Sequence, residues 1–234
     1  MTHFRLYEIL GNAKGTLARA IDEELDMIKN FISILTSDET WLYLDNPEGS
    51  EWIKRGDQPS SAAKKDISSK KVMLTVFWGA NKIWFVHVLQ EGKTITFKTF
   101  IDDILEPHHS MILKERPTLE RIYIHYDNER VHNSYFTQRF IDDIQFDRIE
   151  HPAYSSDLSP YDYYLFGHMK HIIKGNSFKN AKDAVEAAKR ILNGTPQTML
   201  IKAFKNWRTR ALFVNYNDDY EQKQHTNIQY RDDV

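Results

Sequence analysis

The feature that most constrains this chain is the placement of three carboxylates at the ends of regular patterns. Leu119 to Tyr126 alternates Ile122, Ile124 and Tyr126 with Tyr123 and His125, the period of two that marks a strand inside a sheet, and Asp127 follows directly. Thirty-four residues separate Asp127 from Asp162. Asp162 stands just after Pro160, which introduces a helix from about Tyr161 to Lys174 and puts the acid in its first turn, where it complements the helix dipole. Earlier, the β-branched and aromatic stretch Phe31 to Leu44 predicts a strand carrying Asp38.

The rest of the chain supplies an α/β order around these positions. Leu17, Ile21, Leu25 and Ile28 recur at helical spacing within Leu17 to Asn30. Asp45 to Lys71 holds Pro47, Gly49, Gly56 and Pro59 and is expected to be a long excursion, a length that compact domains keep for function or disorder. Lys71 to Trp78 and Lys82 to Leu89 form an expected hairpin across Gly79-Ala80-Asn81. Helices are expected over Phe97 to Leu105, with Thr96 as cap, over His132 to Ile144 and over Ala181 to Leu192. A short strand is expected over Phe146 to Glu150, and Thr195-Pro196 suggests a further N-cap followed by proline at the first helical position.

Composition removes several chemistries. At 234 residues, 41% hydrophobic and 13% aromatic, the chain can bury one sizeable core. The absence of cysteine excludes disulfides, thiolate zinc sites and cysteine nucleophiles, so a metal would need oxygen or imidazole ligands. No run of eighteen apolar residues and no charged-then-apolar leader is visible, which predicts neither a membrane span nor secretion. His168 and His171 lie one helical turn apart, but no His-Glu-x-x-His frame surrounds them, and a zinc hydrolase is not favoured. The net charge of −2 is low for a nucleic-acid binder, yet Lys54, Arg55, Lys64, Lys65, Lys70 and Lys71 crowd one polar stretch. A second group of lysines and arginines runs from Lys170 to Arg210 and fits solvated helix faces equally well. Asp102-Asp103 and Asp142-Asp143 have the look of surface charge, and the tryptophans other than Trp52 are expected in core or interface.

The flanks of the carboxylates make them specific. Thr36-Ser37-Asp38-Glu39-Thr40-Trp41, Tyr126-Asp127-Asn128-Glu129-Arg130-Val131-His132 and Tyr154-Ser155-Ser156-Asp157-Leu158-Ser159-Pro160-Tyr161-Asp162-Tyr163 follow one another in order. Together they resemble the DD34D catalytic core of mariner-type transposases, over about residues 20 to 215. The resemblance implies a ribonuclease-H-like α/β fold, a mixed central sheet flanked by helices. It also implies a division into an N-terminal helical remnant or linker (1–30), a DDE/D catalytic domain (31–215) with an inserted loop (45–71), and a polar tail (216–234).

By the same resemblance Asp38, Asp127 and Asp162 would hold two Mg²⁺ or Mn²⁺ ions. Hard oxygen ligands suit these cations, and two ions about 3.5–4 Å apart can serve both the attacking and the leaving oxygen of an in-line displacement. Without metal, three such acids repel, and at least one pKa should rise. Water would hydrolyse DNA at transposon ends, and the freed 3′-hydroxyl would then attack target DNA. Asn128, Arg130 and His132 match the family motif and would support the metal site or touch phosphate. Asp157 suits a turn first. The insertion would carry Trp52 and its lysines to DNA or a partner subunit in a DNA-bound homodimer. Two departures stand out: Glu129 where a small residue is usual, and Ser156 where proline is usual. The family's helix-turn-helix modules are not seen ahead of the core, so DNA binding is expected to be weak, largely non-specific and salt-dependent. A nuclear location follows only from the DNA substrate. The alternative expectation is a transposon relic or domesticated module that binds DNA or dimerises without catalysis. A ribonuclease acting on RNA–DNA hybrids shares the fold and metal chemistry but not these flanks.

Overall fold

The computed structural model describes residues 33–47, 70–116, 122–149, 151, 155 and 158–211. The helix expected over Leu17 to Asn30, most of the insertion with Trp52, Lys54, Arg55, Lys64 and Lys65, the turn residue Asp157 and the polar tail lie outside the described residues.

Five strands form one mixed sheet in the order β3-β2-β1-β4-β5. Strand β1 (Ile34–Tyr43) pairs antiparallel with β2 (Lys71–Gly79), and β2 pairs antiparallel with β3 (Ile83–Val88). The Gly79-Ala80-Asn81 connection closes the expected hairpin, with the Gly79 N–H donating to the Lys82 carbonyl at 3.0 Å. A register shift at Phe77/Trp78 gives β2 and β3 a bulge. On its other side β1 runs parallel to β4 (Ile122–His125), which runs parallel to β5 (Phe146–Ile149). Parallel neighbours need crossovers, and helices supply them.

Helix α1 crosses from β3 to β4. It is continuous from Phe97–Thr99 through a π-helical stretch, Phe100–Leu105, into Glu106–Glu115, and so runs a full ten residues beyond the expected end. The Thr96 cap is as expected, its hydroxyl accepting the Thr99 N–H at 3.2 Å. Pro107 argues for an early stop, but it falls in the first turn after the π-helical stretch, where a missing N–H is tolerated. Helix α2 (Tyr135–Asp143), capped by Ser134, links β4 to β5. After β5 come α3, a π-helical stretch Tyr161–Leu165 continuing as Phe166–Ile173, then α4 (Ala181–Asn193) and α5 over residues 197–211. Thr195 does not cap α5 as its sequence suggests. Its hydroxyl turns back to the Ile191 carbonyl at 3.1 Å, and the Pro196 carbonyl receives the Leu200 N–H that opens α5.

The sheet divides two cores. On one face Ile34, Leu42, Leu74 and Val76 pack against Leu165, Met169, Ala188, Phe204 and Trp207 of α3 to α5. On the other, Leu35, Phe77 and Ile124 meet Phe100, Ile104 and Ile112 of α1 and Ile141 of α2. Trp78 and Trp207 are fully buried, with Phe204 edge-on to Trp78 at 5.1 Å; burying a side chain of this kind contributes about 1.5–3 kcal/mol or more. Trp41 is not core: it is 39% exposed, and the Lys71 ammonium lies 4.3 Å from its ring. Asp102, Asp103, Asp142 and Asp143 are exposed, as expected of surface charge.

Candidate active site

Because successive side chains of a strand face opposite ways, β1 delivers Asp38 and Glu39 to opposite faces of the sheet. Asp38 follows Ile34 toward α3, and Glu39 follows Leu35 toward α1 and α2. Asp127 lies two residues past β4, the strand beside β1, and Asp162 lies in the π-helical first turn of α3. Asp38 is within electrostatic reach of both Asp127 and Asp162. Burial pushes the Asp38 carboxyl up to about 9, and the nearby charges of Glu39, Asp127 and Asp162 add to the rise. The Tyr161 phenol is raised first by burial and then by Asp38, with Asp127 and Asp162 contributing. Asp38 keeps one local donor, the Glu39 N–H, at 2.7 Å.

Asp127 lives differently. Burial pushes its carboxyl up, but the hydrogen bond from His132 and the Glu129 N–H outweigh burial, and the group lies below the usual range. Both donors use one oxygen: Oδ1 accepts the Glu129 N–H at 3.0 Å and pairs with His132 Nδ1 at 2.8 Å. Its Oδ2 has no hydrogen-bond partner among the described residues, and the side chain is 32% exposed.

His132 is the residue that joins the two faces. Its side chain is only 2% exposed, with Nδ1 on Asp127 and Nε2 3.5 Å from Glu39 Oε2. Burial alone would hold the imidazole down, but the hydrogen bonds to Asp127 and Glu39 raise it to about 10, so at neutral pH it is a cation between two carboxylates. Phe100 of the α1 π-helical stretch and Tyr126 flank its ring at 4.6 and 4.8 Å. Glu39 is held in turn by the Thr75 hydroxyl at 3.1 Å. Glu39 and Thr75 are the site residues that the sequence did not single out. The available signal was the strand period, which sends Glu39 away from Asp38 and toward the motif histidine.

The remaining motif residues separate. Asn128 turns its amide to the His151 carbonyl at 2.5 Å and braces the loop after β5. Arg130 is exposed and holds no ion pair among the described residues. Glu129 points its backbone, not its carboxylate, at Asp127, so the departure at this position leaves the local geometry intact. Lys70 is exposed, its carbonyl accepting the Leu44 N–H, and Lys71 is engaged over Trp41.

Among the described residues no three His, Asp or Glu side chains converge on one point as a closed cage would require. A hydrated Mg²⁺-type site does not require it, since such ions bind through one or two carboxylates and complete their shell with water and substrate phosphate. An acid raised by burial and then by its acidic neighbours, and a second acid with one free oxygen, fit that donor set. The groove between α1 and α2, lined by Phe97, Ile101, Phe136 and Phe140, contains none of the three acids. Of the three, Asp162 is exposed, whereas Asp38 and Asp127 are partly buried.

Comparison with known proteins bears on the fold. The family described as Transposase (partial DDE domain) matches residues 42–121, a span that holds β2, β3 and α1 and none of the three acids. The chain is 31% identical over 158 residues to the human histone-lysine N-methyltransferase SETMAR, covering 66% of this chain and 23% of that protein. It is 26% identical over 172 residues to the mariner Mos1 transposase of Drosophila mauritiana, covering 70% of this chain and 48% of that one. The chain thus spans about a quarter and about half of these relatives. The Mos1 paired-end complex with the left transposon end superposes with a TM-score of 0.79 at 20% identity, over 93% of this chain and 63% of that chain. The isolated Mos1 catalytic domain gives 0.72 at 19% identity, over 89% and 93%. The fold is therefore the ribonuclease-H-like DDE fold. Ordered acidic motifs, a shared sheet and relatives in sequence all point one way, and together these findings support a mariner-type transposase catalytic domain.

Proposed function

We propose that this domain cleaves and joins DNA strands, with Asp38, Asp127 and Asp162 holding two Mg²⁺ or Mn²⁺ ions. The single observation that carries this reading is the electrostatic cluster: Asp38, buried and raised to about 9 by desolvation and by Glu39, Asp127 and Asp162, lacks the counter-charge that a divalent ion supplies. Solved Mos1 complexes with Mn and with Mg add support by analogy. When bound, such ions polarise the phosphoryl oxygens and generate a nucleophile near neutral pH.

The chain's own residues then have separable tasks. Asp127 offers Oδ2 while His132 and the Glu129 N–H hold Oδ1, which fixes the carboxylate's rotation. Glu39, tied to Thr75 and His132, orients rather than coordinates. Asp162, exposed on the first turn of α3, closes the site from the side of the other core. Arg130, which is exposed, is available to a phosphate. In the first step water attacks phosphorus and the 3′-oxygen leaves; in the second the freed 3′-hydroxyl attacks a target phosphate, whose own bond to its 3′-oxygen breaks, so that the target strand is cut as the new phosphodiester forms. DNA contact by the 45–71 insertion, a DNA-bound homodimer and a nuclear location belong to the same proposal.

A second reading has its own support: one relative bears the name of a histone-lysine methyltransferase, so a core of this kind is matched inside a protein named for other chemistry. Nicking of supercoiled plasmid in Mn²⁺ by the parent and by Asp162→Ala separates the two. The active reading expects nicking by the parent and a loss of about a hundred- to a thousandfold in the variant, on the scale by which removing key charge-stabilising groups slows catalysis. Equal nicking by both, or none by either on any DNA offered, rejects it in favour of a binding module.

A further inference from the structure

One buried residue touches every segment that carries an acid and yet has no task above. His125 ends β4 with no exposed surface. Its Nδ1 is 2.9 Å from the Thr36 hydroxyl and its Nε2 is 3.1 Å from His151 Nδ1. Thr36 is its direct partner across the β1–β4 pair and stands two residues before Asp38. His125 itself stands two residues before Asp127. Its ring stacks at 29° on Tyr161, 5.9 Å away and adjacent to Asp162, and Trp207 packs on it at 4.6 Å. His151 adds the last tie through its carbonyl, which receives the Asn128 amide next to Asp127.

We infer that His125 is a positioning residue, and that the buried line Thr36–His125–His151 sets the spacing of Asp38, Asp127 and Asp162 and with it their affinity for divalent ions. The inference rests on the metal-site reading and assigns that site its rigid support.

The chemistry is specific to imidazole. A neutral ring has one donor and one acceptor nitrogen on opposite sides, so it can continue a hydrogen-bonded line between two groups that both need a partner. An aliphatic side chain here would leave the Thr36 hydroxyl, itself without exposed surface, unpaired in the core. Outer groups that orient metal ligands typically affect metal affinity by about 10–100-fold when removed. A residue that merely fills core would lower melting temperature and leave the affinity of the folded protein unchanged.

The test measures free Mn²⁺ by electron paramagnetic resonance in titrations of the full chain, at a temperature where each protein is folded by circular dichroism. The parent, Thr36→Val, Thr36→Ser, His125→Gln and the control Asp127→Asn are compared. Thr36→Val keeps the branched shape on the strand and removes only the hydroxyl, so it decides the matter even where His125→Gln does not fold. The expected result is about tenfold or weaker Mn²⁺ binding in Thr36→Val and His125→Gln, with Thr36→Ser within about twofold of the parent. Parent-like affinity in Thr36→Val, while Asp127→Asn has lost binding, overturns the positioning role and leaves the metal site standing. A parent that binds no Mn²⁺ overturns the metal site and this inference with it.

Discussion

His108 on α1 is fully buried, its ring 4.1 Å from that of Phe77, and neither ring nitrogen meets a hydrogen-bond partner among the described residues. Burial, with a smaller push from His109, holds its pKa down to about 3. The folded state therefore binds fewer protons than the unfolded state between about pH 6.5 and pH 3. Stability attributable to this residue is present above about 6.5 and is lost as pH falls through that window. For a fully buried group the loss between pH 8 and pH 5 is about 2 kcal/mol. His108→Leu should raise the melting temperature at pH 8 by removing an unpaired polar group, and raise it further at pH 5. Equal shifts at the two pH values would show that His108 is protonated or partnered in the fold. Nothing in the sequence around His108 announces this burial, because a histidine beside His109 in a polar stretch has no apolar period to place it. The motif histidine His132 was legible as a supporting residue, whereas its second partner Glu39 was hidden behind the adjacent Asp38.

At the level of elements, the strands were legible where an apolar period met a breaker. β1, β2, β3 and β4 lie where alternation and Gly79 put them, and α4 begins at the Asn180 cap, whose side chain accepts the Asp183 N–H at 2.9 Å. Helix α1 was legible only at its start, since Pro107 reads locally as a stop and only the tertiary fit of Phe100, Ile104 and Ile112 on the sheet carries the helix past it. The turn from α2 to β5 falls where the sequence leaves room for it, between Ile144 and Phe146, but its backbone conformation was not legible. It requires Gln145 at a φ of 58°, a left-handed conformation that costs a non-glycine residue about 1–2 kcal/mol. Gln145 is exposed, so its side chain gives little back. Gln145→Gly should therefore stabilise the domain by up to about 1 kcal/mol, less than the strain relieved because glycine loses more chain entropy on folding. A chemical denaturation midpoint that falls in this variant would mean that the side chain makes a contact worth more than the strain.

Across the whole molecule the three acids come from different parts of the architecture: the central strand, the loop after its parallel neighbour, and a helix of the opposite layer. Setting the other acids near Asp38 has a cost in the metal-free fold. Asp38 is desolvated among Glu39, Asp127 and Asp162, so its folded pKa is raised to about 9. The stability it contributes is complete below the unfolded value near 3.8 and drains away as pH rises toward 9. Asp38→Asn removes that charge in nearly the same volume, and without metal at pH 8 it should melt above the parent. On the metal-site proposal divalent ions should reverse the order, because a ligand that binds only the folded state adds about 2.7 kcal/mol at a hundredfold excess over its dissociation constant. In saturating Mn²⁺ the parent should therefore gain and the variant gain little, and the two melting curves should exchange places. The crossing requires both the repulsion that the acids exert on one another and an ion that relieves it. Curves that shift in parallel, or an Asp38→Asn protein that melts below the parent in chelator at pH 8, would show that Asp38 is not held at the expense of the metal-free fold.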